Sequence, residues 1–164
     1  MRIATVCAAV LLTACSTHHH DAAQQSVEDP NFLAGCGPLP DQTIVDTVHA
    51  TAVRPLGGPT ICAWEADFST GGPVDLTYAW LEHDTLGRDR QIDEQQGYRI
   101  EKLVIKHFGA IYVRDPRDPG SCAVTAADSG TVTWWVQNRD HTGQPDPCAA
   151  AMNLMQATLA IDGT

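Results

Sequence analysis

The chain has 164 residues, 43% of them apolar, and carries 20 Asp and Glu against 10 Lys and Arg, a net charge of −10. A body that acidic is repelled by nucleic acid and by anionic headgroups, which argues against a nucleic-acid role and against membrane binding by charge. Its longest apolar run falls well short of the roughly 20 residues that span a bilayer as a helix.

That run, residues 3 to 12, follows the single basic residue Arg2 and ends in Leu12-Thr13-Ala14-Cys15. Charge, apolar stretch, small residues and cysteine in that order read as a secretory signal closed by a lipobox. Residues 1–14 are then a cleaved signal peptide, and Cys15 becomes the lipidated first residue of the mature chain. An ordinary secretory signal or a buried N-terminal strand would explain the apolar stretch but not the small pair placed directly before a cysteine. The expected location is the extracytoplasmic side of the cell membrane, lipid-anchored, with the membrane as partner through diacylglycerol and acyl groups, palmitate among them.

Residues 15–30 are polar and unpatterned and read as a flexible tether of about 20 to 25 Å if it behaves as a random coil. His18, His19 and His20 are neutral imidazoles able to hold a soft metal weakly, but nothing nearby except Asp21 adds a ligand, so no metal site is expected there. Residues 31–164 form one domain.

Asp41 is placed to cap a short helix running to about residue 50, with Ile44, Val45 and Val48 on one face. Gly57-Gly58-Pro59 breaks the chain. Residues 60 to 68 alternate, with Cys62, Trp64, Ala66 and Phe68 pointing one way and Glu65 and Asp67 the other. After the turn at 69 to 72, Val74, Leu76, Tyr78 and Trp80 share a face, so the two runs make a hairpin. The plain reading of these rings is core; the other is a ligand groove.

Residues 83 to 97 are polar, and Asp84 or Thr85 caps a mostly exposed helix carrying Leu86 and Ile92. A strand over 98 to 106, a turn or bulge at Phe108-Gly109 and a strand over 110 to 114 follow. Residues 115 to 120, with two prolines, must be a loop. Residues 122 to 126 and 131 to 137 make a second hairpin, in which Val132, Trp134 and Val136 alternate with Thr133, Trp135 and Gln137. Of the two adjacent tryptophans, one is therefore core and the other more exposed. In the closing helix Cys148, Met152, Met155 and Leu159 recur at helical spacing, most simply as core. Hairpins imply antiparallel pairing, so the fold expected is α+β, a twisted antiparallel sheet packed against helices.

Setting aside Cys7 in the signal and Cys15 under the lipid leaves Cys36, Cys62, Cys122 and Cys148. An even set in an exported chain implies two disulfides. Three connectivities are possible, and Cys36 with Cys62 and Cys122 with Cys148 is the expected one because each pair brackets one local unit. A four-thiolate metal site would need a Cys-x-x-Cys pair, which the chain lacks.

Lipobox, tether, a cysteine just before a first short helix, Cys62-Ala63-Trp64, Cys122 opening a hairpin and Asp146-Pro147-Cys148 opening a helix occur in that order. The pattern resembles the small lipoproteins of mycobacteria and related actinobacteria of the LprB type, whose domain has no known function. The likeness runs from about residue 31 to 161; it implies an envelope location and the same disulfide pairing, and no catalytic residues. A looser similarity, to the two-disulfide sensor domains of mycobacterial receptor kinases, implies a ligand cleft beside the sheet.

Motifs for chemistry are absent. There is no G-x-S-x-G and no H-E-x-x-H, and Gly35-Cys36-Gly37 is not continued into a phosphate fingerprint. His83-Asp84 and Asp140-His141 are sequence neighbours, whose side chains point apart on strands and loops and so form no dyad. The chain is read as no enzyme, with no cofactor and no metal site. Two classes are left: a binding module for a small or lipidic ligand or an envelope partner, using Trp64, Trp80 or Trp135, and an accessory or structural lipoprotein without a ligand of its own. The first predicts that one of those tryptophans borders a real cavity.

Overall fold

The computed structural model describes residues 37–56 and 62–161. Within them the order is α1 (Asp41–Val48), β1 (Ala52–Leu56), β2 (Cys62–Asp67), β3 (Val74–Leu81), α2 (Leu86–Gln95), β4 (Arg99–Ile105), β5 (Phe108–Arg114), β6 (Ser121–Ala127), β7 (Thr131–Asn138) and α3 (Pro147–Ile161). All seven strands join one antiparallel sheet, ordered β1-β2-β3-β7-β6-β5-β4. The α+β expectation is met. Two meanders, β1 to β3 and β4 to β7, meet along the β3–β7 pair.

One face of the sheet carries the main core. Strand alternation sends Trp64, Leu76, Val124, Trp134 and Val136 to the side covered by α1 and α3, where Ile44, Leu154, Met155 and Leu159 meet them. Trp64 and Trp134 lie 5.6 Å apart between ring centroids, and Tyr78 closes on Trp134 at 5.1 Å. Both buried indoles have satisfied N–H groups: Trp64 donates to the Asp41 carboxylate at 2.7 Å and Trp134 to the Thr158 hydroxyl at 2.9 Å. A buried indole N–H without an acceptor is costly, which explains a threonine facing inward on α3.

Cys122 and Cys148 form a disulfide, tying β6 to the first turn of α3, and Asp146 caps that turn by accepting from the Cys148 and Ala149 N–H groups. This is the second of the two expected bridges. The first involves Cys36, which lies outside the described residues, as do the signal segment, Cys15, the three consecutive histidines and the 57–59 break.

Several details correct the sequence reading. Asp41 does not cap α1; Pro40 occupies that position, Asp41 is already helical, and its carboxylate is taken by Trp64. The helix stops at Val48 because His49 adopts a left-handed φ of 59°. Residues 52 to 56 form an unforeseen strand, β1, tolerated with Pro55 inside it because it is the sheet's outer edge. The β4–β5 turn falls at Lys106-His107, with Lys106 at φ 57°, and Phe108 and Gly109 already belong to β5.

Candidate functional site

β4 lies at the far edge of the sheet from the point where β3 ends, so the chain must cross one face to reach it. α2 makes that crossing on the side opposite α1 and α3. Beneath it alternation brings Ile111 and Val113 from β5, Ala123 and Thr125 from β6, and Thr133 and Trp135 from β7. Ile111, Val113 and Ala123 are buried, with Leu86, Tyr98, Ile100 and Trp135 packed around them.

α2 seals this second face poorly. Its sequence LGRDRQIDEQ offers two large apolar side chains, and none of its residues is fully buried. A cavity of about 200 Å³ remains between helix and sheet, lined by Asp89, Ile92 and Asp93 above and Val113, Thr125, Thr133 and Trp135 below. Trp135 is held there by its N–H, which donates to the Ser121 hydroxyl at 3.1 Å, and by the edge-on ring of Tyr98 at 5.9 Å. The Thr125 and Thr133 hydroxyls hydrogen-bond each other across the strands at 2.9 Å.

The helix side is acidic. Thr85 donates to Asp89 at 2.6 Å, which orients that carboxylate at the start of α2. Asp93, one turn on, has its carboxyl pushed above the usual range, first by partial burial and then by the like charge of Asp89. An aromatic wall, two aliphatic side chains, two hydroxyls and two carboxylates suit a small amphipathic ligand.

The three tryptophans singled out in the sequence do not converge. Trp64 is core, 1% exposed. Trp80 shares its face but stands at the rim of the sheet. Trp135 looks the opposite way, into the α2 cavity.

A second cleft, which the sequence reading missed, has a volume of about 360 Å³ and lies between the start of β4, the end of β5 and the start of α3, lined among others by Arg99, Arg114, Asp118, Ser121 and Asp146. Its residues come from three separated segments, so no local motif announced it. Asp118 accepts from Gln137, from the Gly120 N–H and from His141, whose Nδ1 is 2.9 Å away. Burial works against the charge of Asp118, and those hydrogen bonds outweigh it, holding the carboxyl below its usual range. His141 thus meets Asp118 rather than its sequence neighbour Asp140, and the pair serves as a loop clasp, since the carboxylate is already shared. Asp140 folds back onto Thr142.

On the open part of this face, away from α2, Arg139 binds Asp75 with both arms of its guanidinium and also reaches Glu65, which pairs with Arg54 as well. The network is a polar cover for the β1–β3 meander. Among the described residues there is no group of three or more His, Cys, Asp or Glu poised to hold a metal, and no helix long and apolar enough to cross a membrane.

A helix-bridged antiparallel sheet with a small cavity under the bridge is the architecture these residues define. The chain belongs to the family described as Protein of unknown function (DUF3558), whose model matches residues 10–160. No curated protein and no solved structure matches it.

Proposed function

We propose that this protein is a lipid-anchored binding module on the extracytoplasmic side of a cell membrane, of the actinobacterial LprB type. Cys15 carries the anchor, residues 15–30 the tether, and the domain takes a small ligand between α2 and the sheet. The observation that carries the reading is Trp135: the more exposed of the adjacent tryptophans forms a wall of a cavity rather than lying flat on the surface. At about 200 Å³ the cavity is below the roughly 300–1,000 Å³ of drug-sized sites, which favours a small ligand over a whole lipid. The thin packing of α2 supplies the entrance, because weakly packed elements open locally at little cost. We also assign the first of the two expected bridges to Cys36 and Cys62; in support, Cys62 is disulfide-bonded.

Native mass spectrometry of the chain purified oxidised from its own envelope extract tests the reading. An extra mass released by organic extraction is expected, and adding the extract back should change tryptophan emission in the native protein but not in Trp135→Phe. A bare mass together with unchanged emission would transfer the protein to the accessory class, acting through loops and strand edges without a ligand.

A further inference from the structure

Five large apolar side chains stand exposed among the described residues, and four of them lie at one end of the domain: Trp80 at 53%, Leu81 at 50%, Val104 at 70% and Ile161 at 48%. The register places them there. Trp80 opposes Val132, which leads through Ala126 and Ala110 to Leu103, one residue before Val104. The C-terminus of α3 arrives at the same end, where the Lys106 ammonium donates to the Leu159 carbonyl at 3.1 Å, two residues before Ile161. Leu81 and Val104 are separated by four strand spacings, about 19 Å, so these side chains rim the end rather than form one spot.

The rim has the chemistry of a membrane–water interface. An indole standing half out of the fold has a large apolar body and one N–H, the combination enriched at headgroup level. Both lysines of the chain are exposed here, Lys102 on β4 and Lys106 in the turn after it. The Lys106 ammonium is engaged by α3, while Lys102 has a stem able to lie along acyl chains with its ammonium in water.

The path of the chain says which surface covers this rim. Gly37, the first described residue, lies against Tyr78 and Trp64; a Cβ there would stand 3.4 Å from the Tyr78 ring. Tyr78 precedes Trp80 by two residues on the same face, about 7 Å along the strand. The segment that leads back to Cys15 therefore joins the domain beside the exposed tryptophan.

We propose that this end of the domain rests on the bilayer that holds the Cys15 lipid, with Trp80, Leu81, Val104 and Ile161 at headgroup level. The proposal rests on the anchored reading above and adds to it a fixed orientation. The cleft at the start of α3, at the opposite end of the sheet, then faces away from the bilayer. Because the contact is apolar, neutral lipid suffices and high salt does not release it.

The test uses the full chain, lipidated at Cys15, in phosphatidylcholine vesicles with brominated acyl chains. Flotation reports anchoring, and quenching of tryptophan emission reports docking. The expected result is a chain that floats and is quenched in low and high salt, with most of the quenching lost in Trp80→Phe and kept in Trp135→Phe. A chain that floats but is not quenched overturns the docking and leaves the anchor standing, and if it also forms a Trp80-dependent dimer the rim belongs to a second copy. Quenching that survives Trp80→Phe overturns the orientation. A chain that does not float overturns the anchor and the docking together.

Discussion

Trp64 and Asp41 join the first helix to the sheet through one hydrogen bond spanning 23 residues of chain. Replacing Asp41 by Ala leaves a nearly buried indole N–H with no acceptor, so a loss of about 1–2 kcal/mol is expected in urea unfolding. A mere capping residue would also cost stability, but Asp41→Ser, a good cap with a side chain too short for the indole, should fail to restore it. The inward direction of Trp64 was legible, because Cys62, Trp64 and Ala66 alternate with charged or small neighbours. The task of Asp41 was not. Its place at the head of a helical pattern pointed to a cap, and nothing local revealed an indole arriving from β2. The split between Trp134 and Trp135 was legible for the same reason as Trp64: alternation on a strand needs no knowledge of the partner.

Among the elements, α2 is the one whose own charges oppose its docking. Asp89 and Asp93 are one turn apart and both face the cavity, an arrangement that weakens a helix by a few tenths of a kcal/mol even in water. The raised carboxyl of Asp93 means the docked helix holds its proton more readily than the unfolded chain does. Stability from this group is therefore present at low pH and lost as pH rises through the raised value. Hydrogen exchange of α2 amides, corrected for intrinsic rates, should slow on acidification through that range. Asp93→Asn should slow it at neutral pH and flatten the dependence; a variant exchanging as fast as the native protein at neutral pH would remove Asp93 from the balance. The sequence reading had α2 as an exposed helix with Leu86 and Ile92, close to what is found. It missed β1 because five residues with a proline carry too little pattern to compete with the neighbouring glycines. It also placed the β4–β5 turn two residues late, because Phe108-Gly109 looks more like a turn than Lys106-His107 does.

At the level of the whole molecule, both hairpins were readable from turn residues, but the pairing of β3 with β7 was not. Those strands are separated by about fifty residues of chain, and non-local pairing leaves no local mark. The α2 cavity was hidden for a different reason: its walls are α2 and the consecutive strands β5, β6 and β7, and which face of a sheet a preceding helix covers leaves no mark in the pattern of the strands. The Cys122–Cys148 bridge closes a loop with a sequence separation of 26, worth about 3–4 kcal/mol in a chain-entropy account. Cys122→Ser with Cys148→Ser should lower the urea midpoint by a corresponding amount while leaving the sheet's far-ultraviolet circular dichroism intact below it. An unchanged midpoint would show that the capped start of α3 is sufficient without the covalent link.

The two outer strands carry one more consequence. β1 exposes its free edge with Pro55 as the fourth of its five residues, and β4 exposes an edge bearing Arg99, Glu101 and Lys102. A missing N–H on one side and mixed charge on the other discourage strands of neighbouring molecules from extending the sheet. Under the proposed anchoring, which would hold copies on one surface where they meet far more often than in solution, such edges would guard against edge-to-edge polymerisation under crowding in two dimensions.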